Sequence, residues 1–377
     1  MTDPRANIPS VVERTRPVKT GAPVVAAHFL GQTAVFVLGE GALVLAPRAG
    51  EARSVAVHGG AILSTAADAD RVVTGGDDGK VVATDAEGKS TTVATDAKQR
   101  WIDHVAVGPA GALAWSAGRE ACVRTAKGSE RTLEVPSTVG GLAFAPKGLR
   151  LAIAHYNGLT LWFANAQSEP ERLQWKGSHL DVVMSPDGRF VITSMQEPTL
   201  HGWRLADRKD MRMSGYGARV RSLGWSVGGK WLATSGSTQL ILWPFQGKDG
   251  PMGKTPRILA STEVQAEVVA CHPKQEVVAV GYADGLVLLV RIEDGAEVLA
   301  RKGAGAPITA LAWNATTSCF GWQATTSACT SVDARMRGVL PMGPSWPWNG
   351  HRMSWVEPEV ASHLPPTLKS SERTRAP

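Results

Sequence analysis

The sequence has no apolar run of about 18 residues, so we expect no membrane-spanning helix. Residues 1–21 also lack the apolar stretch of a secretory signal peptide, and this favours a cytoplasmic protein with no membrane partner. The four cysteines lie far apart and show neither a CxxC pair nor a Cys/His ligand spacing. A disulfide framework is therefore not expected.

Helical periodicity and catalytic motifs are also missing. No segment keeps an apolar period of 3.6 residues, so helices should be nearly absent. There is no GxSxG elbow, no phosphate loop and no HxH, HxxxH or HExxH spacing among the nine histidines. We therefore predict no catalytic residue, no metal site and no cofactor. His104 and His179 stand near strand starts and could meet at an axis, but a hydrogen-bonded turn histidine is the favoured interpretation.

What the sequence does contain is one pattern repeated eight times, about every 40 residues. Each copy is an apolar strand, a tight turn, a second strand, a polar turn, a third strand that often carries Trp, and a fourth strand. Stacked four-stranded units of this length are typical of a β-propeller. We predict an all-β propeller of four-stranded antiparallel blades, eight by this count, with seven as the alternative. The units are 22–59, 60–99, 100–137, 138–177, 178–218, 219–264, 265–306 and 307–335.

Several units carry matching turn and third-strand motifs, namely Ser185-Pro186-Asp187-Gly188, Ala145-Pro146-Lys147-Gly148, the Gly-Asp-Asp-Gly turn at 76–79, Leu161-Trp162 and Leu242-Trp243. In these motifs the chain resembles the WD-repeat β-propeller family, over about residues 22–318. The resemblance implies that Trp162, Trp203 and Trp243 pack between blades.

Two departures from the family pattern stand out. The Trp-Asp pair is never complete, because Trp162, Trp203 and Trp243 are followed by Phe, Arg and Pro. Of the family's His, Ser/Thr, Asp and Trp hydrogen-bonded network we find only fragments, such as His179 with Thr193 and Trp203, and the acidic member is not evident.

The resemblance also implies a contact surface at the mouth of the central channel. The positions just before each first strand, and two residues later, ring this mouth in the family. The later column reads Val25, Ile62, Asp103, Gly140, Leu180, Arg221, Glu267 and Thr309. We select as contact residues the large or charged members of the two columns, namely Trp101, Asp103, Arg219, Arg221 and Glu267. The alternative is that Trp101 packs under a loop and the charges pair with one another.

The two ends of the chain differ from the repeats. Residues 1–21 are an N-terminal segment, whose part 10–18 could supply a ring-closing strand to the propeller of residues 22–335. The eighth unit begins correctly but loses its pattern after Trp313, so we expect it to lack its second and third strands. The Pro- and Trp-rich tail, 336–377, is predicted to be disordered. The loss of pattern also suggests a frame-shifted end near residue 316.

The leading hypothesis is a monomeric, non-enzymatic scaffold that presents its rim to an unidentified partner protein. An enzyme, or a small-ligand or metal binder, that uses the axial channel is the alternative. Nucleic-acid binding through residues 204–221, with six basic and two acidic residues, is not favoured, because a longer basic stripe interleaved with aromatics is lacking.

Overall fold

The structure, a computed structural model, describes residues 8–314 in full and the backbone of residues 317–322 and 326–331. The first ten strands are β1 (Thr15–Lys19), β2 (Val24–Leu30), β3 (Thr33–Leu38), β4 (Ala42–Ala46), β5 (Arg53–Ala56), β6 (Ile62–Ala67), β7 (Arg71–Gly76), β8 (Lys80–Asp85), β9 (Ser90–Thr95) and β10 (His104–Val107). The next ten are β11 (Leu113–Ala117), β12 (Glu120–Arg124), β13 (Glu130–Glu134), β14 (Gly141–Phe144), β15 (Arg150–Phe163), β16 (Glu171–Met184), β17 (Phe190–Met195), β18 (Leu200–Arg204), β19 (Lys209–Met213) and β20 (Leu223–Trp225). The last ten are β21 (Trp231–Thr234), β22 (Leu240–Pro244), β23 (Arg257–Leu259), β24 (Ala266–Cys271), β25 (Val277–Tyr282), β26 (Val287–Arg291), β27 (Glu297–Arg301), β28 (Ile308–Trp313), β29 (Thr317–Trp322) and β30 (Thr326–Ser331). The helices of the described residues are three 3-10 turns, Val12–Arg14, Pro109–Gly111 and Val227–Gly229.

These strands form antiparallel sheets that follow the chain. Five sheets are built from consecutive strands, namely β2–β5, β6–β9, β10–β13, β20–β23 and β24–β27. A sixth four-stranded sheet has the order β1-β30-β29-β28. The prediction of an all-β propeller with four-stranded antiparallel blades is therefore confirmed.

The predicted number of blades is wrong. Six separate four-stranded blades are present, and the residues assigned to the fourth and fifth units share one six-stranded sheet, β14–β19. The physical reason lies in two long strands. β15 folds back on itself at Asn157 and Gly158, which both have a positive φ, and at the open end of this hairpin the Ala164 amide donates to the Leu149 carbonyl at 2.9 Å. β16 pairs first with β15 and then with β17, without a connecting loop between the two.

The sixth four-stranded blade joins the two ends of the described chain. β1 lies antiparallel to β30, with Thr15 opposite Thr330. The expectation that the eighth unit lacks its second and third strands is wrong, because β29 and β30 form there although no glycine bounds them. Short runs that alternate small, polar and apolar residues are enough for strand pairing once a neighbouring edge is available. The predicted tail, 336–377, lies outside the described residues.

The hydrophobic core lies between neighbouring sheets. Trp162 is buried against Ala114 and Val123 of the preceding sheet, and Trp243 against β17 to β19 of the sheet before its own. Trp203 packs against β15 and β16 within its own six-stranded sheet. Packing between sheets, predicted for all three tryptophans, is therefore found for Trp162 and Trp243. The last sheet packs on the first in the same manner, through Val18 and Ala310 against Val24 and Phe36. Burial of apolar faces on both sides of each sheet closes the ring.

Candidate interaction site

The first strands of successive sheets contact one another around the ring, and four of them carry a β-bulge next to their first residue, as does β16 where it begins to pair with β17. β2 contacts β6, β6 contacts β10, β24 contacts β28, and β28 contacts β2 again. The bulged residues are Val25, Leu63, Leu180, Glu267 and Thr309, which we call the bulge ring. A bulge inserts one residue into a strand and turns its side chain away from the regular alternation. One side chain per bulged strand is thus redirected at the same level of the ring.

The bulge ring coincides with most of the predicted second column. Val25, Leu180, Glu267 and Thr309 belong to both. In the second unit the bulged residue is Leu63, which is exposed, whereas the predicted Ile62 is only 6% exposed and belongs to the core. The prediction was one residue out of register there, because the bulge between Ile62 and Ser64 shifts the register without a mark in the sequence.

The third sheet holds two predicted contact residues, Trp101 and Asp103, immediately before β10. The Trp101 side chain is 62% exposed, so it does not pack under a loop. Asp103 is half-buried, and its Oδ2 accepts a hydrogen bond from the Gly118 amide at 3.1 Å. Asp103 therefore stabilises the turn after β11, and this hydrogen bond leaves its other oxygen for contact.

The structure brings Arg221 and Glu267 together. Both line one cavity of about 430 Å³, which β20, β24 and β28 form with Thr309 at its far wall. Among the described residues, neither side chain has an ion-pair partner within 4 Å. Arg219 does not line this cavity; its guanidinium donates to Gln196 Oε1 at 3.4 Å. Trp101 and Asp103 lie on a different sheet, so the five predicted residues form two pairs, with Arg219 apart from both.

Hydrogen bonds between first strands hold this region in place. Ser222 Oγ donates to the Val269 carbonyl at 3.2 Å, and Thr309 Oγ1 donates to the Val24 carbonyl, which joins the last sheet to the first. Gly140 lies so close to the next strand that a Cβ there would be 2.1 Å from the His179 carbonyl oxygen. The residues of the bulge ring therefore project from a rigid support.

Asp181 follows the bulge in β16 and has an unusual environment. Its side chain is accessible to solvent, yet protein surrounds it, as expected for a group that faces a channel within the ring. The enclosing protein removes water from the carboxylate and raises the pKa of Asp181 to about 6, although the Val182 amide donates to its Oδ1 at 2.8 Å.

Two hydrogen-bonded networks on the loop side of the sheets escaped the sequence analysis. In the second unit His58 contacts Thr74 at 2.8 Å and Asp78 at 2.9 Å, so the acidic member that seemed to be missing is present. In the sequence, the Gly-Asp-Asp-Gly turn at 76–79 was the signal that could have revealed this acidic residue. The hydrogen bonds from His58 and from the Gly59 and Lys80 amides hold the pKa of Asp78 low, in spite of the opposing effect of burial.

In the sixth unit a tyrosine replaces the expected histidine. The Tyr216 hydroxyl contacts Thr234 Oγ1 at 2.9 Å and accepts a hydrogen bond from Trp243 Nε1 at 2.7 Å. His179 pairs with Thr193 at 2.7 Å, as the fragment suggested. These networks rigidify the sheets near the loops, where the contact residues lie.

The described residues show the surroundings of His104, of the thiols and of possible metal-binding groups. His104 bonds the Val139 carbonyl at 3.1 Å, so it is hydrogen-bonded as expected, but it begins strand β10 and does not lie in a turn. No group of three His, Cys, Asp or Glu side chains within residues 8–314 could hold a metal ion. Burial raises the pKa of the Cys271 thiol to about 12 and also raises that of Cys122, so both thiols are protonated and weakly nucleophilic at neutral pH.

The basic stretch 204–221 is partly neutralised. Arg204 pairs with Asp207 and Asp249, and Arg208 pairs with Glu171. Two of its six basic residues are thus engaged with carboxylates, and this weakens the case for a nucleic-acid surface.

Comparisons with known proteins agree with this geometry. The family model "WD domain, G-beta repeat" matches residues 209–244. That segment runs from β19 through β22, so it links one sheet to the next. No curated protein matches the chain. A solved structure, the crystal structure of the computationally designed Ika8 protein, superposes with a TM-score of 0.68 at 17% sequence identity and covers 83% of this chain and 97% of its own.

The fold is common, because 1762 solved chains match it. The likeness therefore identifies the architecture, and the function has to be argued from the site. Within the described residues, no helix has both the length and the apolar character that a membrane span requires.

Proposed function

Because the chain is a WD-repeat β-propeller, we propose that it is a non-catalytic scaffold whose channel rim binds a partner protein. The observation that carries this proposal is the bulge ring, which redirects one side chain per bulged strand from a hydrogen-bonded support. Preformed positions lose little conformational entropy on binding. We propose further that the protein acts as a monomer in the cytoplasm.

Trp101, Arg219 and Arg221 are the proposed anchors of the partner. An exposed Trp offers a large contact area, and an Arg that lacks a carboxylate partner can donate several hydrogen bonds to an acidic group. Asp103 and Glu267 would supply the complementary charges. Two groups of contacts on different sheets suit a partner that spans the channel mouth.

The test is affinity capture from cells of the native source with an Arg219→Ala/Arg221→Ala variant. The control, Lys127→Ala/Lys147→Ala, removes two charges from exposed turns elsewhere. We expect the rim variant to lose the captured partner at least tenfold, with an unchanged unfolding midpoint. Equal capture by the two variants would contradict the proposal.

A second candidate function is the binding of a small zwitterion in the cavity that Arg221 and Glu267 line. The observation that favours it is the presence of two opposite charges without ion-pair partners in one cavity of about 430 Å³. Calorimetric titration with free lysine and free glutamate would detect such binding. Heat that disappears in both Arg221→Gln and Glu267→Gln would support the candidate, and no heat at millimolar ligand would exclude it for these two amino acids.

A further inference from the structure

A further cavity has no residue of the bulge ring in its lining. It has a volume of about 800 Å³ and opens over the turn within β15 and the first half of β16. It shares no lining residue with the Arg221 and Glu267 cavity. No predicted site residue lines it.

The origin of this cavity is a missing loop. Elsewhere in the ring, the last strand of one sheet is joined to the first strand of the next by four to nine residues, from the shortest loop, 20–23, to the longest, 214–222. In β16 the chain passes directly from pairing with β15 to pairing with β17, at Gly177 with a φ of +122°. No loop folds back over the end of β15. Tyr156 is therefore left 54% exposed.

The charged wall of the cavity is one face of a strand. Arg172, Gln174 and Lys176 alternate along β16 and are all exposed, whereas Leu173 between them is buried. Residues two apart on a strand point to the same side. Among the described residues, neither Arg172 nor Lys176 has a carboxylate within ion-pairing distance, and no Asp or Glu lines the cavity. Glu197 lies beside Gly177, outside the lining.

The floor and the aromatic wall are rigid and neutral. His155 is buried and uses both ring nitrogens, on Thr160 Oγ1 and on the Tyr156 carbonyl, each at 2.9 Å. Trp175 stacks on the ring of His201, with centroids 4.0 Å apart. Burial lowers the pKa of His201 to about 3, so this stack carries no charge at neutral pH. The positive charge at the cavity comes from Arg172 and Lys176.

We propose that this cavity binds an extended acidic peptide segment that carries an aromatic side chain. A strand rises about 3.3 Å per residue, so Arg172 and Lys176 are roughly 13 Å apart along β16. That spacing fits two carboxylates four residues apart on an extended chain and is too wide for a single phosphate group. The exposed ring of Tyr156 and the edge of Trp175 would receive the aromatic side chain between them.

The probe is a fluorescein-labelled five-residue peptide with glutamate at both ends, phenylalanine in the centre and glycine between. We expect the full chain to raise its fluorescence polarisation at low salt. Arg172→Ala/Lys176→Ala should weaken binding at least tenfold, and Tyr156→Ala at least threefold. Lys127→Ala/Lys147→Ala, with the same loss of charge, should bind as the wild type does. Thermal unfolding of each variant establishes that it is folded, and Arg172→Gln/Lys176→Gln replaces any variant that is not.

Several results would overturn the proposal. They are the absence of polarisation change at millimolar protein, equal binding of the peptide with glutamine at both ends, equal loss in the control variant, and tighter binding of fluorescein-labelled ATP than of the peptide. The rim variant Arg219→Ala/Arg221→Ala should retain peptide binding. Failure at this cavity is therefore distinguishable from failure of the proposed rim function.

Discussion

Two tyrosines on the loop side of the ring have opposite environments. Tyr216 belongs to the nine-residue loop 214–222, which folds over its sheet, and its hydroxyl lies buried between Thr234 and Trp243. Tyr156 lies where β16 runs on without a loop, and it faces an open cavity. The connecting residues thus decide which part of a sheet is sealed and which part can receive a ligand.

The largest expected loss of stability is in the region that the loop 214–222 covers. Trp243→Ala should destabilise the protein by ~3–5 kcal/mol, because it opens a cavity in a packed core and leaves the Tyr216 hydroxyl without its donor. Denaturant unfolding measures this loss. Trp175→Ala, at the open cavity, should cost less than half as much. Equal losses would mean that the two regions are packed alike.

The next comparison is between two separate glycines, Gly158 in the turn of β15 and Gly217 in the loop 214–222. Gly158→Ala forces a residue with a side chain to a φ of +139° and places its Cβ 2.1 Å from the Leu173 carbonyl oxygen. We expect a loss of roughly 2–4 kcal/mol from strain and overlap together. Gly217→Ala, in the loop, meets no atom within 4 Å and should change stability by less than about 0.5 kcal/mol. Thermal unfolding of the two variants side by side checks this, and a reversed order would refute the account of the turn.

The two tyrosines can be compared through their hydroxyl groups. Tyr216→Phe removes the partner of buried Trp243 Nε1 and should cost about 1–2 kcal/mol, measured by chemical denaturation. Tyr156→Phe removes an exposed hydroxyl and should leave stability within about 0.5 kcal/mol of the wild type. A similar cost in both variants would show that Tyr156 is covered in solution.

The smallest effect concerns the pH dependence of stability at Asp181. Just before β20, the Ser222 hydroxyl donates to the Val269 carbonyl of the next sheet, whereas Asp181 on β16 accepts a hydrogen bond from the adjacent Val182 amide. Because the folded-state pKa of Asp181 is raised to about 6, its stabilising contribution is complete below about pH 4 and is lost as the pH rises through 6.

Asp181→Asn should therefore raise the unfolding midpoint at pH 8 and leave it nearly unchanged at pH 4. Midpoints measured across this range check the sign. An increase confined to low pH would contradict the assignment.

Much of the fold follows from local sequence. Alternating strands, tight turns and the third-strand tryptophans predict antiparallel blades because each feature acts within a few residues. The number of separate sheets does not follow, since it depends on whether β15 and β16 are interrupted, and Gly177 alone gave no clear signal. β29 was missed because Thr, Ser and Cys carry little apolar pattern, yet β28 and β30 pair with it from both sides.

For the site, the sequence indicated which aligned column of positions to consider, but it did not indicate which residue of each strand is redirected. Glu267 belongs to the bulge ring and lines one cavity with Arg221, while Leu63 was missed because a bulge shifts register without a sequence mark. Asp78 escaped notice because its partner, His58, is 20 residues away. The cavity beside Tyr156 could not be foreseen, since it results from a loop that is absent.

The most direct test of the central claim is photo-crosslinking from the bulge ring. Benzoylphenylalanine would replace Leu63, Glu267 or, as a control on the outer strand β9, Thr92. The account predicts that the first two positions cross-link the same partner protein and that the position of Thr92 does not. Cross-linking that occurs equally at all three positions, or at the outer strand alone, would contradict it.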